Sequence, residues 1–161
     1  MNVSLRGLSV TDRPAFQYLL SRIKEFNLED QLLAMELIEI TLDQPSQKDY
    51  DFFVAVEGEQ QVVGFVCYGP TPLTDGTFDL YWIAVDPDFS GNGVGGLLLK
   101  TAEDEVIRRH GRMLLIETSS DPVYENTRRF YLKNGYHLAE SIKDFYRDGE
   151  DRVTFIKRLR A

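Results

Sequence analysis

The stretch YWIAVDPDFSGNGVGGLLLK, from Tyr81 to Lys100, constrains this chain more than any other. It reads as a strand, an acidic turn with proline, a glycine-rich loop and a helix, and Gly91, Gly93 and Gly96 spell G-x-G-x-x-G. Glycine at such a junction permits left-handed backbone and lets main-chain N–H groups approach a ligand. The helix N-terminus behind it favours an anion. Three readings compete: a dinucleotide fingerprint, another kind of phosphate cradle, or a turn that needs glycine only for its geometry.

At 161 residues the chain is expected to form one domain, 1–161, large enough to bury a core without a disulfide or metal. With 43% hydrophobic and 27% charged residues, its composition is that of an ordinary globular domain. The opening MNVSLRGLSVTDR has no apolar h-region and no run approaches a membrane span, so a soluble, cytoplasmic protein is expected. Cys67 is the single cysteine; its setting VVGFVCYG reads as a small buried hydrophobe, and no metal site is expected. The net charge of −8 argues against nucleic acid or anionic membrane as partners and favours cationic ones. A polyanionic ligand would then need a local cradle of backbone N–H groups, which the glycine segment can supply.

VSLRGLSV reads as a short opening strand, followed by a helix with Thr11 or Asp12 as cap and Phe16, Leu19, Leu20 and Ile23 on one face. Asn27 opens a second helix in which Leu33, Leu37 and Ile40 recur at helical spacing. Its Glu29, Asp30, Glu36 and Glu39 read as a solvated face, with steering of a cationic substrate as the second reading. YDFFVAVE and QVVGFVCYG, separated by GEQ, make a hairpin, and TFDLYWIAV adds a third antiparallel strand. Its alternation puts Asp79, Tyr81, Ile83 and Val85 on one face and Phe78, Leu80, Trp82 and Ala84 on the other. A helix from Gly93 to near Gly111, the strand MLLIETSS, a helix closed by Gly135 and a final hairpin complete the chain. The order β-α-α-β-β-β-α-β-α-β-β describes an α/β (α+β) domain with a largely antiparallel sheet.

In a dinucleotide-binding unit the first glycine follows its strand almost at once, within a series of parallel strands. Here DPDFS separates Val85 from Gly91 and three antiparallel strands come first, which argues against that reading. The P-loop pattern G-x-x-x-x-G-K-[ST] does not occur in the segment either. The segment resembles instead the cofactor-binding signature of GNAT-type N-acetyltransferases: a strand, V-x-P, then [Q/R]-x-x-G-x-[G/A], with Gly93 and Gly95 at the two small positions.

The resemblance implies a GNAT-like mixed sheet flanked by helices, and acetyl-CoA as cosubstrate. It implies that the backbone of Ile83 and Val85, with Ala84 between them, meets the pantetheine. It assigns the pyrophosphate to Ser90, Gly91, Asn92, Gly93, Val94, Gly95 and Gly96. Ser90 stands where Gln or Arg is usual, so the cradle lacks that side-chain cation. YENTRRFYLKNGY resembles the family's helix ending [F/L]-Y-x-x-x-G-[F/Y], which makes Tyr131 the tyrosine facing the cofactor sulfur. Tyr124 holds the place, seven residues earlier, where many members carry Asn, and that role does not pass to Asn126.

Acyl transfer to an amine needs a neutral nitrogen, a polarised carbonyl and a proton for the thiolate. An alkylammonium with a pKa of about 10.4 must therefore lose a proton. Glu117, a lone carboxylate in an apolar strand, is the preferred base and Asp79 the next; a salt-bridged role is the alternative for each. A backbone N–H near Ile83 would face the oxyanion if the strand is bulged or splayed. Tyr131 would protonate the thiolate, or else it is a packed tyrosine. His110 and His137 read as surface residues. The expected activity is acetyl transfer from acetyl-CoA to a primary amine, small or at a protein terminus, by direct attack. A cationic acceptor suits the charge, and homodimers are common in the family. The alternative is a non-catalytic acyl-CoA-binding or interaction domain.

Overall fold

The computed structural model describes residues 1–160. Among them seven strands and four α-helices follow in the expected order. They are β1 (Val3–Arg6), α1 (Arg13–Arg22), α2 (Leu28–Asp43), β2 (Asp51–Glu57), β3 (Gln61–Pro70), β4 (Thr77–Val85), α3 (Val94–Arg108), β5 (Met113–Ser119), α4 (Glu125–Lys133), β6 (His137–Arg147) and β7 (Glu150–Arg158). The strands form one mixed sheet in the order β1-β2-β3-β4-β5-β7-β6, antiparallel throughout except between β4 and β5.

Helices cover both faces, so the central strands are apolar on both. From β3, Val63, Val66 and Tyr68 pack under α3 and α4, while Phe65 and Cys67 pack under α1 and α2. α1 buries the expected Phe16, Leu19 and Leu20. In α2 the buried positions are Ala34 and Ile38, whereas Leu33 is 51% exposed. That helix carries leucines on more than one stripe, so its period locates the helix without choosing the buried line. Of the two candidate caps for α1, neither bonds the helix through its side chain. The Asp12 carboxylate instead accepts the Ser9 N–H at 2.8 Å and takes both Arg6 amines at 2.8 Å, tying β1 to the start of α1.

The strict alternation expected along β4 fails at Tyr81. Cys67 pairs with Trp82 and Tyr68 with Leu80, so Tyr81 is an extra residue on the β4 side. One inserted residue flips every side chain beyond it. Phe78 and Leu80 face the α3 side, then Trp82 and Ala84 face α1 and α2, and Ile83 and Val85 return to the α3 side.

α3 is held by a buried polar cluster. Glu103 accepts from the Tyr136 hydroxyl at 2.7 Å and from Lys157 Nζ at 3.1 Å, and Lys157 also donates to the Asn134 carbonyl at 3.1 Å. Gly135, at φ 90°, ends α4 as expected, with the Tyr136 N–H returning to the Tyr131 carbonyl at 3.0 Å.

Burial pushes the Asp12 carboxyl up, but its bonds to Arg6 and Ser9 prevail and hold it below its ordinary value. A carboxylate lowered in the folded state stabilises above its unfolded pKa, and that contribution is lost as pH falls through the folded pKa. Asp12→Asn should therefore cost about 1.5–3 kcal/mol at neutral pH, the scale of bonds to a charged group. The gap to wild type should shrink below roughly pH 4, where Asp12 of the unfolded chain begins to bind a proton, and close once the folded carboxylate is protonated at still lower pH. Urea unfolding at both pH values checks this.

Candidate active site

β4 pairs with β5 from Thr77↔Met113 to Leu80↔Ile116 and no further, so the two strands part immediately before the bulge. The Asp86 N–H bonds the Val63 carbonyl at 2.8 Å, and the register from there back to Trp82 is regular. Two-residue alternation then turns Ala84 and Trp82 toward β3 and leaves the N–H and C=O of Ile83 and Val85 facing the gap. A cleft of ≈ 1410 Å³ runs through this opening, lined from β4, β5, α4, the α1–α2 connection and the tip of the last hairpin.

Past β4, the Asp86 carboxylate accepts the Asp88 N–H at 2.9 Å and opens the short turn Pro87–Phe89. Gly91 and Gly93 adopt φ 79° and 81°, left-handed values that favour glycine. Gly93 is the N-cap of α3 and no side chain caps that helix, so its first-turn N–H groups lack a side-chain acceptor. A Cβ at Gly95 would sit 3.4 Å from the Phe130 ring of α4, and Val94 is buried in the core. The Asn92 amide is turned back onto the Phe89 and Ser90 carbonyls, at 3.2 and 3.3 Å. This loop therefore offers main chain rather than side chains.

The observation that decides the family is a match of residues 48–138 to the family model described as an acetyltransferase (GNAT) domain. The chain belongs to the GNAT acetyltransferase family. An uncharacterized N-acetyltransferase of Methanocaldococcus jannaschii is 31% identical over 108 residues, 66% of this chain and 65% of that protein. The match thus spans slightly less than two thirds of that relative's length. A GNAT-family protein from Desulfovibrio desulfuricans has a TM-score of 0.91 at 34% identity, over 99% of this chain and 100% of that one. PaiA N-acetyltransferase of Thermoplasma acidophilum, in complex with coenzyme A, has a TM-score of 0.76 at 18% identity, over 98% and 99% of the two chains. That more distant likeness shows the fold alone.

In this GNAT chain the cleft brings together Asp79, Ile83, Ala84, Val85, Ser90, Glu117 and Tyr131. Gly91 to Gly96 lie outside the lining residues, past Ser90, and a Cβ at Gly91, Gly93 or Gly96 would meet nothing within 4 Å. Tyr131 is 3% exposed and makes no side-chain hydrogen bond among the described residues, yet it lines the cleft. Burial alone holds its phenol well above the ordinary value, so it stays protonated. Glu117 is 48% exposed with Arg152 at 3.8 Å, and Asp79 accepts from the Thr71 hydroxyl at 2.7 Å. The parallel register pairs Asp79 with Leu115, so Asp79 and Glu117 share one face of the sheet, on adjacent strands and two residues out of step. His110 and His137 lie outside the cleft lining.

Much of the cleft wall comes from residues outside the two motifs. Tyr50 meets Tyr81 edge-on at 5.3 Å, and burial with the Asp79 charge raises the Tyr81 phenol to about 12. Glu25, Glu29, Asp30, Asp79, Glu117, Asp121 and Glu150 line the cleft against Arg22, Lys24 and Arg147. Arg22 is taken by Asp86 at 3.0 Å and Asp88 at 2.9 Å, and Arg147 by Glu150 at 3.3 Å. An excess of carboxylates on a partly desolvated wall draws cations. Of this wall, Asp79, Glu117 and the acidic first turn of α2, Glu29 and Asp30, were visible in the sequence.

Proposed function

We propose that this chain is an acetyl-CoA-dependent N-acetyltransferase acting on a primary amine, small or at a protein terminus, and that residues 1–161 form one catalytic domain. The observation that carries the reading is a sheet parted at β4 and β5, open at one end to an uncapped helix N-terminus and at the other to an unpartnered tyrosine hydroxyl. The residues present fit an acyl-CoA. Unpaired N–H and C=O groups of Ile83 and Val85 suit amides that lie along the strand, and the backbone from Gly91 to Gly96 suits a pyrophosphate. Coenzyme A bound to the Thermoplasma acidophilum protein supports the same cosubstrate class.

The acceptor nitrogen attacks the thioester carbonyl directly. The C–N bond forms first; the tetrahedral oxyanion that results lies within reach of main-chain N–H groups on the gap side of the bulge, and its collapse breaks the C–S bond. Glu117 takes the ammonium proton, directly or through one water, and passes it to solvent. Among the described residues its one charged partner, Arg152, stands at 3.8 Å, whereas Asp79 is engaged by Thr71. Tyr131 donates to the departing sulfur, and the second proton, which the attacking nitrogen loses on becoming an amide, returns through water to the tyrosine. The acidic lining favours an acceptor that arrives as a cation. An acyl-CoA-binding domain without turnover would need none of this proton chemistry.

Gly93→Ala should weaken CoA binding by about tenfold or more, because a methyl enters the cradle. It also adds left-handed strain of roughly 1–2 kcal/mol. Gly58→Ala, at φ 61° in the β2–β3 turn, carries similar strain and should leave CoA affinity unchanged. Calorimetric titration of CoA into both variants separates cradle from strain.

Tyr131→Phe should keep CoA affinity and lower kcat by a factor on the order of 10²–10⁴. An unchanged kcat, with thiol release followed at saturating acetyl-CoA, would leave the tyrosine a packing role only.

Glu117→Gln should lose most rate where the acceptor is still an ammonium ion, and raising pH should restore part of it as neutral amine accumulates. Asp79→Asn is the matched control. The pH dependence of kcat/KM for one acceptor decides: loss of the basic-group limb in Asp79→Asn alone reverses the assignment.

A further inference from the structure

The Tyr124 hydroxyl donates to the main-chain carbonyl of Glu25 at 3.0 Å, joining points 99 residues apart. Glu25 lies in the connection between α1 and α2, residues 23–27. On its other side that connection is held by Phe26, whose ring meets Trp82 edge-on at 5.2 Å, while the Phe26 carbonyl accepts from Gln31 at 3.4 Å. Trp82 belongs to β4, on one side of the parted sheet. Tyr124 belongs to the segment after β5, on the other. The connection is thus a strap across the gap, and Glu25, Phe26, Trp82 and Tyr124 all line the cleft.

Both ends of this strap meet working parts of the site. Tyr124 immediately precedes α4, and Tyr131 follows seven residues later within that helix. α4 therefore carries Tyr131, assigned above to the departing sulfur, and the turn that leads into it carries Tyr124, which meets the strap. At the far end Asn27 caps α2, accepting the Asp30 N–H at 2.9 Å, so the strap also sets where Glu29 and Asp30 enter the acceptor side. Burial, with Asp30, Glu25 and Glu150 nearby, pushes the Tyr124 phenol up to about 12 and keeps it a donor over the working range of pH.

We propose that Tyr124 is a positioning residue for the acceptor: its bond to the Glu25 carbonyl holds the strap across the parted strands and with it the wall that starts at Phe26 and Asp30. The kinetic consequence rests on the acyl-transfer reading above; the strap itself does not.

Tyr124→Phe keeps the ring and removes the donor, and circular dichroism confirms that the variant is folded. Trp82 is the chain's single tryptophan, so its fluorescence reports the strap through Phe26 without ligand or turnover. Its acrylamide quenching constant should roughly double in the variant as the strap opens locally. With whichever of spermidine, kanamycin, lysine or an unblocked peptide the wild type turns over best, acceptor KM should rise about three- to tenfold, the worth of one hydrogen bond. The effect on kcat and on CoA affinity should be much smaller. Unchanged quenching overturns the strap. Increased quenching with an unchanged acceptor KM, or with the loss confined to kcat or CoA affinity, overturns the positioning role. A wild type that acetylates none of the four amines strikes the acetyltransferase reading instead, and the quenching comparison still decides whether Tyr124 holds the strap.

Discussion

A β-bulge bends its strand and increases its twist, and the bulge at Tyr81 falls where β4 loses β5 as a neighbour. Everything that makes a site here follows from that coincidence. Four residues of parallel pairing hold the two halves of the sheet together, and beyond them both strands run on with an unpaired inner edge. Backbone groups shut away from water cost about 1–3 kcal/mol each when left without a partner. Such an edge in mid-sheet is stable only as a wet or occupied channel. The flip in side-chain direction after Tyr81 also sends Ile83 and Val85 back to the α3 side, which seals the base of the channel with apolar groups.

The electrostatics sort the channel into two ends. The chain carries a net charge of −8, and the cleft lining is acidic as well, yet the glycine loop must receive an anion if the site binds an acyl-CoA. Ser90 brings no charge there, and Arg22, which shares the lining with Ser90, is already engaged by Asp86 and Asp88. Main-chain dipoles at the start of α3 are left to do the holding. Dipoles act over a turn or so, whereas unpaired carboxylates act over a Debye length. Approach of a cation to one end and local capture of an anion at the other can therefore coexist in a single acidic cleft.

The order of elements and the role of glycine were legible because each depends on local chemistry: apolar periods, turn residues and left-handed positions at Gly91 and Gly93. What was not legible depends on a partner strand or on long-range contact. The stretch TFDLYWIAV alternates cleanly, and only pairing with Cys67 and Tyr68 shows that Tyr81 is supernumerary. In α2, several leucine stripes compete, and the sheet beneath chose Ala34 and Ile38. Asp12 looked like a helix cap because Arg6 is not a recognisable partner until β1 folds beside it. Tyr124 drew notice only as a substitution for asparagine; its bond to Glu25 spans most of the chain. Of the candidate site, Tyr131, Glu117, Asp79, the β4 edge and the acidic turn at Glu29 and Asp30 were legible, while Tyr50, Glu25, Asp121 and Glu150 of the cleft wall were not.

Cys67 stands opposite Trp82, at the very step where the β3–β4 register slips. It is fully buried, and burial, with a further push from Asp51, raises its thiol well above the ordinary value. A thiol reagent reaches such a group only when the strand opens, so its labelling rate is an opening equilibrium multiplied by an intrinsic reactivity. The single cysteine therefore places a chemical clock at the irregular seam of the sheet. How fast it ticks in the native protein, with and without a ligand in the channel, measures how often the middle of this molecule comes apart.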